Sequence, residues 1–155
     1  MRNFILVVGV ILTALIASPQ VRAQGASRGP DPTVLRDSEL ERDSNHHLEV
    51  ARHYFKTRKA YISALLRLDE VIAGNPTFSK FDEVLYIAGM SSLYLSEKRG
   101  KQAPKEPAEK YRQNARTLLS ELIQQFPESS FRAEAEKGLL SLGPEEKPDS
   151  VEKKP

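Results

Sequence analysis

The sequence predicts an all-α protein built by repetition, a short stack of antiparallel helix pairs. Two observations carry this. Between residues 38 and 142 apolar residues recur at three- and four-residue steps, the helical period, and no stretch alternates as a strand would. The segment "ALLRLDEVIAGNP" (64–76) also returns fifty-one residues later as "ARTLLSELIQQFP" (115–127). Ala64, Leu68, Glu70, Ile72 and Pro76 recur as Ala115, Leu119, Glu121, Ile123 and Pro127, and Ser79 recurs as Ser130.

The elements follow in order. Residues 1–23 read as a secretory signal: Met1-Arg2-Asn3, the apolar run "FILVVGVILTALIA", then "SPQVRA" with small residues before a cut after Ala23. The apolar run would span about 21 Å as a helix, short of the ~30 Å of a bilayer core. The alternatives are a cut after Gly25 and retention of the segment as an anchor. Residues 24–37, rich in Gly, Pro and Ser, read as a flexible linker.

Ser38-x-x-Glu41 has the form of a capping box, opening a helix expected to reach Thr57. A second helix is expected over 58–73, with Tyr61, Leu65, Leu68 and Ile72 as its buried stripe. Gly74 suits a left-handed C-terminal cap, and Pro76 stops continuation. Ser79-x-x-Asp82 should open a third helix over 80–97 that turns Phe81, Leu85, Ala88 and Ser92 or Leu93 inward. The polar loop 96–107 leads to Pro107, a good first residue for a fourth helix over 108–125. That helix buries Tyr111, Ala115, Leu118, Leu122 and Phe126. A short fifth helix over 131–142 ends at Gly143-Pro144. The tail 143–155 has one apolar residue, Val151, and should be disordered.

The repeated letters have packing roles. Ala64 and Ala115 are small where helices must approach within about 8–10 Å, and the prolines let the next helix turn back. A helix pair with a small residue early in its second helix and a closing proline resembles the tetratricopeptide repeat, whose stacks are right-handed. Phe55, Tyr61, Ala64, Leu68, Val71 and Pro76 fit that pattern in the first pair. Ala88, Gly89, Ala115, Leu119, Leu122 and Pro127 fit it in the second, with Ala88-Gly89 matching the small pair where first helices pack closely. The fifty-one-residue offset exceeds the usual 34 of that family, and the loop 96–107 with a longer third helix can absorb the excess. A plain helical bundle is the alternative.

More narrowly, residues 48–142 resemble the BamD family of outer-membrane assembly lipoproteins. The likeness rests on Tyr54-Phe55 before Tyr61-x-x-Ala64, on Pro76 through Ser79 and Phe81, and on "VLYIAGMSSLYL" (84–95). It implies an exported scaffold whose protein partners belong to the barrel-assembly machinery or another envelope complex. The chain departs from the family in having two repeats and a terminal helix instead of about five repeats. It also contains no cysteine, so the thioether-linked lipid of that family is not expected.

Composition excludes other classes. Removing the signal takes Arg2 and Arg22 from the 23 basic residues and nothing from the 21 acidic ones, so the mature chain is near neutral and bulk charge gives no support for nucleic-acid binding. No nucleophile elbow, phosphate-cradling Gly-rich loop or His-Glu-x-x-His is present, and Asp69, Glu70 and Glu121 read as solvated helix carboxylates, so an enzyme is not expected. No cofactor is expected. His46, His47 and His53 form the one cluster a metal would choose, with Glu49 between them. The seven-residue spacing of His46 and His53 is not the i, i+4 of a helical site, so no metal is expected, and a periplasmic metal-handling protein using these two histidines is the lesser alternative. The basic run Arg52, Lys56, Arg58, Lys59 and Arg67, with Tyr54 and Tyr61 adding stacking area, is the candidate partner-binding surface, facing acidic segments or anionic headgroups. Two repeats fall short of the roughly three that cover their own faces, so self-association is the rival to an adaptor.

Overall fold

The computed structural model describes residues 37–144. The expected signal 1–23, the linker up to Arg36 and the tail beyond Pro144 lie outside the described residues. Five helices follow one another, α1 (Ser38–Arg52), α2 (Tyr61–Gly74), α3 (Phe81–Ser96), α4 (Ala108–Gln125) and α5 (Arg132–Ser141). Each packs on its chain neighbours, and α3 also touches α1 and α5. This is the tetratricopeptide-repeat-like arrangement: α1 with α2, α3 with α4, and α5 closing the stack. No described helix is long and apolar enough to cross a membrane.

The repeat is written in the backbone as well as the side chains. Asn75 N–H donates to Val71 O at 2.8 Å, Phe78 to Asn75 and Phe81 to Phe78 at 3.1 Å, and Val84 to Lys80 at 3.2 Å. Fifty-one residues on, Phe126 donates to Leu122 (2.9 Å), Ser129 to Phe126 (3.0 Å), Arg132 to Ser129 (3.2 Å) and Ala135 to Phe131 (2.9 Å). Both second helices thus end in the same turn and hand the chain to the next first helix in the same register.

The core runs along α3, which is covered on nearly every side: Phe81, Val84, Leu85, Ile87, Ala88, Leu93 and Leu95 are buried. An all-round apolar helix of this kind belongs in the middle of a layer. Ala64 and Ala115 are fully buried, as are Leu68, Leu119 and Leu122. On α2 the stripe turns through Val71, and Ile72 is only half-buried.

Gly89, which the repeat pattern places at contacts between first helices, faces α4 instead. A Cβ there would lie 2.6 Å from Leu119 Cδ2 and 2.7 Å from Leu119 Cγ. Gly138 on α5 flanks the same side chain, and a Cβ there would lie 3.0 Å from Leu119 Cδ1. Leu119 is therefore wedged between two glycines, one on each neighbouring first helix.

Several expected helix boundaries move, each for a local reason. Asp37, not Ser38, caps α1: its carboxylate accepts from Glu39 N–H (2.8 Å) and Leu40 N–H (3.3 Å). Glu41 reaches instead to Ser79, accepting from its N–H (3.0 Å) and its hydroxyl (2.8 Å). Ser79 is thereby unavailable to cap α3, and Asp82 accepts from the Ser129 hydroxyl at 2.6 Å. Gly74 is the last helical residue of α2 and is not left-handed; Asn75 breaks the helix at φ −143°. Pro107 precedes α4 in extended conformation. The end of α5 is held by Arg116, whose guanidinium donates to the carbonyls of Gly143 (2.7 Å), Leu142 (2.9 Å) and Pro144 (3.1 Å).

Candidate partner-binding surface

The first helix does not run to Thr57 as an α-helix. From His53 to Arg58 it widens into a π-helical turn, and the chain stops at Lys59, which is left-handed with φ 50°. Ala60 N–H closes back on Tyr54 O at 3.0 Å. The end of α3 has the same logic. Lys98 is left-handed at φ 55°, Lys98 N–H donates to Leu95 O (3.0 Å) and Arg99 N–H to Tyr94 O (2.8 Å). That pair of bonds is a Schellman closure, a position that glycine usually fills because a Cβ is strained there. Here both left-handed caps are lysines.

The connection after α3 is not a free loop. Gly100 (φ 95°) lies against Lys59 and the Tyr61 ring so closely that a Cβ would sit 2.7 Å from each. Lys101 N–H donates to Lys59 O at 3.0 Å. Gln102 then takes over the N-terminus of α2, which has no cap of its own. Its Oε1 accepts from Ser63 N–H (3.2 Å) and its Nε2 donates to Ser63 Oγ (2.8 Å). A side chain thirty-nine residues away does what an N-cap residue normally does.

This folding-back joins two basic segments. His53–Ala60 contributes Lys56, Arg58 and Lys59, all exposed; Glu97–Ala103 contributes Lys98, Arg99 and Lys101, also exposed. The only acid in either segment is Glu97, paired with Arg99 at 3.1 Å. None of Lys56, Arg58, Lys59, Lys98 and Lys101 forms an ion pair with another described residue. Arg52 does not belong to this surface. It makes a two-pronged ion pair with Glu83 on α3, with Arg52 29% and Glu83 14% exposed. The hydrogen bond to Glu83 holds the guanidinium pKa up. Arg52 therefore ties α1 to α3.

Beside the cations runs an aromatic ledge. The π turn sets Phe55 5.7 Å from Tyr61 and 5.9 Å from Tyr94 between ring centroids, the latter stacked. Tyr86 continues the row at 6.5 Å from Phe55 and stacks on Phe131 at 4.8 Å. The Arg99 guanidinium covers the Tyr94 ring at 4.0 Å, a cation–π contact that links the basic end to the ledge. Phe55, Tyr86, Tyr94 and Phe131 are half-buried. Burial pushes the Tyr61 and Tyr86 hydroxyls up, away from ionisation. Tyr54 is half-buried, its ring tilted against His53 at 6.2 Å between centroids.

The remaining candidates lie elsewhere. His46 and His53 are exposed, while His47 meets Glu70 at 2.9 Å and Asp43 at 3.6 Å. The two carboxylates meet opposite nitrogens of the His47 ring, and no group of three His, Asp or Glu side chains able to hold a metal ion is found among the described residues. Of the carboxylates considered for acid–base work, Glu70 also pairs with Arg67, Glu121 accepts from Gln125 (2.8 Å), and Asp69 is pushed up by burial alone. Sequence reading missed Lys98, Arg99, Lys101 and Gln102. The signal that could have found them is the left-handed grammar of "EKRGK", a helix end followed by Gly100.

No curated protein and no solved structure matches the chain. The model of one family, YfiO, described as outer membrane lipoprotein, matches residues 39–143. That span takes in all five helices, both basic segments and the aromatic ledge, about two thirds of the chain. The chain belongs to the YfiO family of outer membrane lipoproteins.

Proposed function

We propose that the protein is an exported, non-enzymatic scaffold at the periplasmic face of the outer membrane, working with the machinery that assembles outer-membrane proteins. The observation that carries this is the family match across the whole helical body. Stacked helix pairs suit such a role because they present one extended face made from several elements. Attachment through protein partners fits a chain without cysteine. The test is a crosslinking pull-down from the native envelope with the chain from Gln24 as bait. Recovery of a barrel-assembly protein is the expected result; recovery of the bait alone overturns the assembly role. A second reading, self-association through the open face of α5, draws on Leu140, which is 80% exposed there. Mass by light scattering that rises with concentration would favour it.

A further inference from the structure

We propose that the basic end formed by the π turn and the α3–α4 connection, continued by the aromatic ledge, is a docking site for an extended acidic segment of a partner protein. The segment's carboxylates would meet Lys56, Arg58, Lys59, Lys98 and Lys101, and its apolar residues would lie along the ledge. This names the partner chemistry of the scaffold surface proposed above and rests on that reading for its setting, not for its test.

Three observations support it. First, the charge is assembled, not incidental: two segments remote in sequence are held together by Lys101 N–H on Lys59 O and by the close approach of Gly100. Their exposed lysines have no acidic partner among the described residues and stand together, unlike the scattered unpaired Lys105 and Lys137, while Arg42, Arg67, Lys110, Arg112 and Arg132 each have one. An unneutralised cluster attracts and orients an acidic partner. Second, the two left-handed caps carry lysine where glycine would fit without strain. Strain retained at a surface position is a mark of function. Third, the cations adjoin half-buried rings that run from the first helix pair to the start of α5. A lipid headgroup would use the cations alone, while a peptide chain uses charge at one end and apolar contact along the row, so the arrangement favours a peptide.

The test uses the chain from Gln24 and a fluorescein-labelled peptide of alternating Asp/Glu pairs and Phe or Leu, read by fluorescence polarisation. Peptides of equal charge with Gly in place of the apolar residues, and vesicles of phosphatidylglycerol with phosphatidylethanolamine, serve as comparisons. The expected result is saturable binding that weakens with salt and is weaker for the Gly peptide. The Lys59→Glu/Lys98→Glu/Lys101→Glu variant should lose roughly tenfold or more, the sum of several modest charge contacts. Lys59→Gly/Lys98→Gly guards against a folding artefact: it should melt higher than the parent and still bind the peptide less tightly. Unchanged affinity in the triple variant, or equal affinity for the Gly peptide, overturns the proposal. Binding to anionic vesicles without binding to the peptide also overturns it and assigns the cations to lipid. Peptide binding with a failed pull-down would leave this site standing and remove the assembly role; a successful pull-down without peptide binding would do the reverse.

Discussion

Replacing Gly89 by alanine probes a tight contact between α3 and α4. The new methyl carbon would fall 2.6 Å from Leu119 Cδ2 and 2.7 Å from Cγ, where carbon atoms ordinarily stay about 3.5–4.0 Å apart. A relief of about 1 Å is needed, and rotating the end of Leu119 cannot supply it because Cγ itself is in the way. Retreat toward α5 is limited to the space that Gly138 leaves, where even a Cβ would come within 3.0 Å of Leu119 Cδ1. Overpacking of this kind costs about 1–3 kcal/mol, and exchanging a helical glycine for alanine returns about 1 kcal/mol. The net loss should be up to about 2 kcal/mol, a Tm drop of up to roughly 15 °C for a domain of this size. Urea titration followed by circular dichroism gives the number directly. Leu119→Ala alone should cost about 2–5 kcal/mol, but less in the Gly89→Ala background, because the clash disappears with the side chain. A Gly89→Ala protein more stable than its parent, or a cycle additive within about 0.5 kcal/mol, would refute the wedge.

Three further outcomes are expected. Gln102→Ala removes the cap on Ser63 N–H and should cost about 0.5–2 kcal/mol, read as a lower urea midpoint. Gly74→Ala should raise stability by about 0.4–1 kcal/mol, because Gly74 is helical and a Cβ there meets nothing within 4 Å; destabilisation would mean the cap is left-handed after all. Glu83→Ala strips the half-covered Arg52 of its partner and should cost about 1.5–3 kcal/mol, whereas Arg52→Gln should lower Tm without touching affinity for the acidic peptide.

The parts of this protein written in local spacing were legible. Tyr61, Leu65 and Leu68 fall on one face because the helical period puts them there, and the fifty-one-residue offset reappears bond for bond in the turns after α2 and α4. What was not legible depends on partners far along the chain. Ser38 and Asp37 are both good caps on paper, and the geometry of the first turn chose Asp37. Ser79 looked like a cap until Glu41, thirty-eight residues earlier, claimed it. Arg52 looked like a surface cation because Glu83 lies thirty-one residues away. The basic surface was half seen, through Lys56, Arg58 and Lys59, since nothing in periodicity tells that a polar loop will fold back onto them. The π turn left no mark either: it is a widening of a helix whose letters read as ordinary.

The Gln102 cap changes how the stack should come apart. A linear array of repeats unravels from its ends, each unit held only by the next, and its stability is a sum of local terms. Here the start of α2 is finished by a residue from beyond α3, and Arg52 reaches from α1 to α3. The first helix pair therefore cannot loosen without surrendering contacts owned by the second. Amide protons of α1 and α2 should exchange with solvent at rates set by opening of the whole body, not of one end, so the protein would behave as a single switch between folded and unfolded.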